Sequence, residues 1–169
     1  MTLSQEYVRK LFEYRGGKLY HRLRPATNRF NKTFNTKYGG KEAGSVMNTG
    51  YIEISTPLGR FLAHRVIFLY HHGWLPDVVD HEDCNPQNNH VENLRPATTN
   101  QNMHNSRKRV TNTSGHKCVY WKEHAGKWQV QICVNRKQIH CGYFDSLEEA
   151  ADVAKRERAK YHNTFARDE

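Results

Sequence analysis

The stretch that most narrows what this chain can fold into runs from Val79 to Asn105, VDHEDCNPQNNHVENLRPATTNQNMHN. Asn85-Pro86 and Asn88-Asn89 are turn formers. Proline lacks a backbone donor, and asparagine bonds its own neighbouring backbone, so no long helix or strand is expected through them. Val79 lies ahead of these turns, with Val91 and Leu94 behind them. Thr98, with Gln101 three residues on, has the spacing of a capping box and predicts a helix over 98–107. Strand, turn-rich loop, strand and helix make a compact ββα unit. Such a unit can gather positions 80 and 81 and the first helical turns around one point.

The flanking sequence is read the same way. Tyr7, Val8, Leu11, Phe12 and Tyr14 recur at helical spacing and predict a helix over 4–14, ended by Gly16-Gly17. Residues 18–23 read as a strand. Residues 24–43 are rich in Asn, Thr, Lys and Gly and read as an exposed loop. Within it Arg24, Arg29, Lys32, Lys37 and Lys41 interleave with Phe30, Phe34 and Tyr38. That mixture suits a surface that follows a DNA backbone, and equally a solvated loop. Residues 50–62 give a hairpin around Pro57-Leu58-Gly59. His64 to His72 gives a short helix stopped by Gly73. His64, His71 and His72 have no partners at metal-ligand spacing and are expected to cap, pack or face solvent.

Beyond residue 111 three strands are expected, at 117–122, 127–134 and 138–144, with a turn at 135–137. Ser146 caps a final helix, with Glu149 three residues on. Trp128, Val130 and Ile132 alternate with Gln129, Gln131 and Cys133. The first set is expected to face the helix, and the second to share the open face with Tyr120, Lys122, Gln138 and His140. A basic tract, Arg107-Lys108-Arg109, followed by NTSG places a boundary near residue 111, hence domains 1–110 and 111–169. The predicted class is α+β: a ββα-containing domain, then a three-stranded antiparallel sheet packed on one helix. A mean hydropathy of -0.91 agrees with two small polar units better than with one large core.

Composition also narrows the partners. The net charge is +9 over 169 residues, and a basic surplus points to a polyanion, because each Lys or Arg on a phosphate releases condensed counterions. No apolar run approaches the ~20 residues of a membrane span. The opening MTLSQEYVRKLFEY lacks the charged-then-apolar layout of a signal peptide. A soluble, cytoplasmic protein is expected. Cys84, Cys118, Cys133 and Cys141 form no C-x-x-C pair, and free thiols are expected.

The chemistry suggested by 79–105 is phosphodiester hydrolysis. Asp80 offers a carboxylate oxygen and Asn102 a carbonyl oxygen, hard donors that suit Mg²⁺ or Mn²⁺ better than zinc. His81 is the neighbouring side chain whose ordinary pKa, about 6.5, lets it accept a proton near neutrality. Asn93 carries both a donor and an acceptor and can brace the loop next to His81. His104 lies about 200° round a helix from Asn102 and is expected to face DNA or solvent.

The stretch resembles the ββα-metal motif of HNH endonucleases, in particular the phage and intron-encoded homing branch. The resemblance rests on Asp80-His81, on Asn93-Leu94-Arg95 and on Asn102 within QNMHN, with AHRVIFLYHHGWLP resembling the lead-in helix. LFEYRGGKLYHR and GYIEI match more weakly. It implies that Asp80 and Asn102 bind the metal, that His81 is the general base and that Asn93 positions it. The loop departs from the family pattern: it reads NPQNNH, where relatives often have Gly and an Asp-Asn-Arg triplet. Residues 114–166 resemble the APETALA/ethylene-response-factor DNA-binding domain, through Gly-Lys-Trp, Gly-Tyr-Phe and Glu-Glu-Ala-Ala. That resemblance implies that Tyr120, Lys122, Gln129, Gln131, Gln138 and His140 read double-stranded DNA. Lys117, Arg136 and the linker Arg107, Lys108 and Arg109 would add contacts. The expectation is a DNA endonuclease in the host cytoplasm of a phage, as monomer or homodimer. Two alternatives stay open: a non-catalytic DNA-binding regulator on the same folds, and an HNH nuclease acting on RNA or unspecific DNA.

Overall fold

Ser4 accepts a hydrogen bond from the Tyr7 amide and starts α1 (Gln5–Leu11), and at Phe12 the backbone becomes extended. The computed structural model describes residues 3–106, 108 and 110–167. β1 (Phe12–Arg15) and β2 (Lys18–His21) then form an antiparallel hairpin. The helix expected over 4–14 is therefore shorter. Gly16 and Gly17, at φ 51° and 81°, form the hairpin turn rather than a helix cap, since two left-handed residues match the twist of the flanking strands.

The loop expected over 24–43 contains α2 (Arg29–Tyr38). Asn28 caps it by accepting from the Asn31 amide, and none of its residues is buried. No Gly or Pro interrupts 29–38, and Asn, Thr and Lys on an exposed helix cost only a fraction of a kcal/mol each, roughly 0.3–0.7. β3 (Ser45–Val46), β4 (Ile52–Thr56) and β5 (Gly59–Leu62) form a three-stranded antiparallel sheet in chain order. α3 (Ala63–His72) ends at Gly73, φ 79°. β6 (Val78–His81) pairs antiparallel with β7 (Leu94–Ala97), and α4 (Thr99–Asn105) follows.

α3 supplies Val66, Ile67, Phe68 and Leu69 to a core shared with Val8, Phe12, Leu19, Ile54, Val79 and Leu94. The last two come from the strands that carry and follow the Asp-His pair, so burial of α3 fixes where those strands lie. Arg65 adds a polar tie, donating to the carbonyls of Asp77 (2.9 Å) and Pro76 (3.2 Å) just ahead of β6.

The chain divides into two compact units, residues 1–98 and 99–169. The boundary read from the sequence lies at 110/111. Within the second unit the half-buried His104 ring stacks on His162 at 3.6 Å between centroids, so one of its faces is covered. The second unit is a sheet of order β10-β9-β8, with β8 (Val119–Lys122), β9 (Lys127–Val134) and β10 (Lys137–Phe144) all antiparallel. Ser146 caps α5 (Leu147–His162) by accepting from the amides of Glu148 and Glu149. Ala150 and Ala154 are buried with Val119 and Val130. The architecture is α+β with small antiparallel sheets. No helix among the described residues is long and apolar enough to cross a membrane.

Candidate active site

Asp80 and His81 sit side by side on β6, and successive side chains of a strand point to opposite faces. Both are buried, 4% and 5% exposed. Asp80 lies opposite Arg95 on β7, and the Arg95 Nε donates to its Oδ2 at 2.9 Å. A carboxylate so far from water needs such a partner, because an isolated buried charge costs several kcal/mol. Arg95 also reaches the Glu82 carboxylate at 3.8 Å.

On the other face, the His81 Nε2 stands 2.8 Å from the Asn89 Oδ1. Where the Asn89 oxygen accepts, it is the tautomer with hydrogen on Nε2 that donates in this contact. The ring edge meets His64 at 4.9 Å between centroids, and Tyr51 lies against both histidines, 5.3 Å from His64 and 6.0 Å from His81. His64 therefore packs. Its Nδ1 is buried without a hydrogen-bond partner. Burial first, then the neighbouring His81 and Arg65, push its pKa down to about 3. His64 is thus a neutral imidazole behind the His81 ring.

The loop between β6 and β7 is held from inside by Asn93. Its Nδ2 donates to the Asp83 Oδ1 (2.9 Å) and to the Asn88 carbonyl (2.8 Å), and its Oδ1 accepts from the Asp83 amide (3.1 Å). Asp83 in turn accepts from the Asn85 amide and the Asn88 side chain. Burial alone would raise the Asp83 carboxyl. The donors from Asn85, Asn88 and Asn93 outweigh it and hold the group below the usual carboxylate range. Asn93 braces the loop and Asn89, 1% exposed, is the residue that touches His81.

The first hairpin supports the same loop from outside. The Val91 amide donates to the Tyr14 hydroxyl at 3.2 Å. A Cβ on Gly17 would come within 3.0 Å of the His90 ring and backbone, so only glycine lets the turn approach this closely.

Asn102 lies exposed on α4, which counts with the second unit. Among the described residues no three His, Cys, Asp or Glu side chains converge as a ligand set. A Mg²⁺-type ion needs only one or two carboxylates, because phosphate oxygens and waters complete its shell, and the Asp80 carboxylate is chemically suited to it.

On the sheet of the second unit, Tyr120 pairs with Gln129, Gln131 with His140 and Cys133 with Gln138. Cross-strand partners share a face, so these side chains form one polar surface opposite the buried Val130 and Ile132. Gln131 donates to the Gln138 Oε1 at 2.7 Å, and the Gln129 Nε2 lies 3.1 Å from the His140 Nδ1. Lys122 pairs with Lys127 at the end of the same face. Arg136, φ 66°, sits in the tight turn before β10. Lys117 and Lys108 donate to the carbonyls of Ser106 and Gly115. Arg107 and Arg109 lie outside the described residues.

Residues 61–104 match the family pattern described as HNH endonuclease. Protein 3.8 of Escherichia phage T7 is 35% identical over 89 residues, which span 53% of this chain and 73% of that protein. No solved structure matches.

Proposed function

Because the chain belongs to the family of phage T7 protein 3.8 and carries an HNH endonuclease domain, we propose that it is a metal-dependent endonuclease that hydrolyses double-stranded DNA. The observation that carries this reading is the buried Asp80-His81 pair, with the His81 Nε2 engaged by Asn89 beside a loop braced by Asn93. The reading assigns the ββα-metal arrangement to 78–105. It assigns Asp80 and Asn102, the hard oxygen donors of the sequence pattern, to Mg²⁺ or Mn²⁺. The ion would neutralise charge that develops on the phosphate.

The chain's own residues do the rest. His81 accepts the proton of the attacking water. The water oxygen bonds to phosphorus as the bond to the leaving sugar oxygen breaks. Asn89 holds the ring through Nε2, and Asn93 keeps Asn88 and the following Asn89 in place. Arg95, beside Asp80, adds a positive charge near the scissile phosphate. The polar face of Tyr120, Lys122, Gln129, Gln131, Gln138 and His140 serves as the DNA reader, in the manner of the APETALA-type domain, with Lys117, Arg136, Arg107, Lys108 and Arg109 beside it. One such site cuts one strand, so a monomer nicks. The setting is the host cytoplasm.

Supercoiled plasmid is the test. With Mg²⁺ the protein converts it to nicked circles, and chelation stops the reaction. His81→Ala lowers the rate by about 10²–10⁴-fold at near-normal DNA affinity. Full activity in excess chelator, or wild-type nicking by H81A, removes this mechanism. DNA binding without any nicking would instead make the chain a DNA-binding protein on the same folds.

A further inference from the structure

From Lys18 to Lys41 the chain carries seven basic side chains and no acidic one. The structure organises this segment more than a solvated loop needs. The Arg24 amide donates to the Asn35 Oδ1, and the Asn35 Nδ2 donates back to the Arg24 carbonyl, both at 2.8 Å. The guanidinium carbon of Arg24 lies 3.5 Å from the centre of the Phe34 ring and 5.7 Å from that of Phe30. Among the described residues no carboxylate pairs with Arg24, whereas Lys18 on the same segment pairs with Glu42.

Below Arg24 is a cleft lined by Lys10, His21, Arg22, Arg24, Phe34 and Thr56, with no acidic residue among its lining. Arg22 is also fixed, its Nε donating to the carbonyls of Arg9 and Phe12 at 2.9 Å each. Two arginines are thus ordered; among the described residues Arg24 has no salt bridge, and Arg22 acts on Glu13 only through its charge. An aromatic face under a guanidinium leaves its in-plane N–H groups pointing outward, the geometry that recognises a phosphate bidentately.

We propose that this cleft, between α2 and the β4–β5 turn, is a DNA-backbone site in which Arg24, held by Asn35 and Phe34, binds a phosphate of the duplex. It rests on the reading that the chain acts on DNA, and it adds a contact outside both the Asp80-His81 site and the polar sheet face. Phe30, 71% exposed, flanks the guanidinium.

The test uses the full-length chain and a fluorescent mixed-sequence DNA duplex in chelator, titrated at several salt concentrations. Arg24→Ala weakens binding several-fold and lowers the slope of log affinity against log salt by about one unit. Asn35→Ala keeps every charge. It leaves the slope unchanged and weakens binding by about twofold to tenfold, because the arginine must now be ordered on binding. Arg24→Lys keeps charge and stem, serves where R24A fails to fold, and also weakens binding at unchanged slope. Wild-type affinity and slope in R24A, or wild-type affinity in R24K, overturns the proposal. Plasmid nicking by the wild-type protein tests the endonuclease reading separately. A chain that binds the duplex through Arg24 without nicking keeps this inference and loses that reading. One that nicks while R24A binds normally does the reverse.

Discussion

Replacing Asn93 by alanine removes three hydrogen bonds at once from the loop beside His81. Two are neutral, to the Asn88 carbonyl and from the Asp83 amide, and one is to the Asp83 carboxylate. Neutral bonds contribute about 1 kcal/mol each and a bond to a charged group about 1.5–3. The sum overstates the loss, because the loop is only partly buried and water can replace some donors. A net loss of about 2–3 kcal/mol remains. At roughly 4–8 °C per kcal/mol for a unit of this size, the melting temperature falls by about 10–20 °C, which differential scanning fluorimetry reads directly. Asp83 gives a second readout. A carboxyl held low in the fold contributes stability that is full above its unfolded pKa and is lost as pH falls through the folded one. Removing the Asn93 donor shifts the Asp83 carboxyl back up and shrinks that contribution, so N93A and the wild type converge in stability as the pH drops into the acid range. Nicking falls as well, because Asn88 and Asn89 lose their support. A melting temperature within a degree or two of wild type, with normal nicking, would falsify the bracing role.

Two further outcomes follow from other residues. The His64 pKa is pushed down to about 3, so its contribution to stability is full above pH ~6.5 and is lost as pH falls toward 3, by up to about 1.4 kcal/mol per unit. His64→Phe, which keeps a ring beside His81, should flatten the urea midpoint across that window, and an unchanged pH slope counts against the burial argument. Gln131→Ala on the open sheet face should relax preference at one base position by about 1–3 kcal/mol, read by selection from a randomised duplex pool; an unaltered preference removes Gln131 from the reader.

The parts of the fold legible in the sequence are those where pattern and punctuation agree. Ser146, the alternation of Trp128, Val130 and Ile132, and Gly73 each mark an element by a local rule, and the observed elements follow within a few residues. Gly16-Gly17 misled because the same pair that ends a helix also turns a hairpin, and Phe12 and Tyr14 fit both periods. α2 was hidden by composition, since its apolar side chains stack on one another and on Arg24 rather than enter a core. Type and spacing singled out Asp80, His81 and Asn93, which the structure places on β6 and at the end of the loop that follows it; their roles belong to the proposed function. Asn89 was read only as a turn former, since the loop geometry that aims its amide at His81 depends on Asn93 and Asp83. His64 sits a strand and a helix away in sequence, and only the packing of α3 against β6 brings its ring to His81. The Asp80-Arg95 pair follows from strand register, which no single-residue pattern encodes.

The bracing of the His81 loop is local along the chain. The bonds among Asp83, Asn85, Asn88 and Asn93 join residues ten or fewer positions apart, and loops of that length close in about 10–100 ns. The Gln5 to Tyr70 bond that ties α1 to α3 joins residues 65 positions apart, and such distant closures carry a larger entropy cost. During refolding, the loop beside His81 can therefore find its own shape many times over while the chain is still searching for its long-range contacts. Mutations in the α1–α3 contact are therefore expected to slow refolding more than mutations within the loop itself, as read by stopped-flow fluorescence.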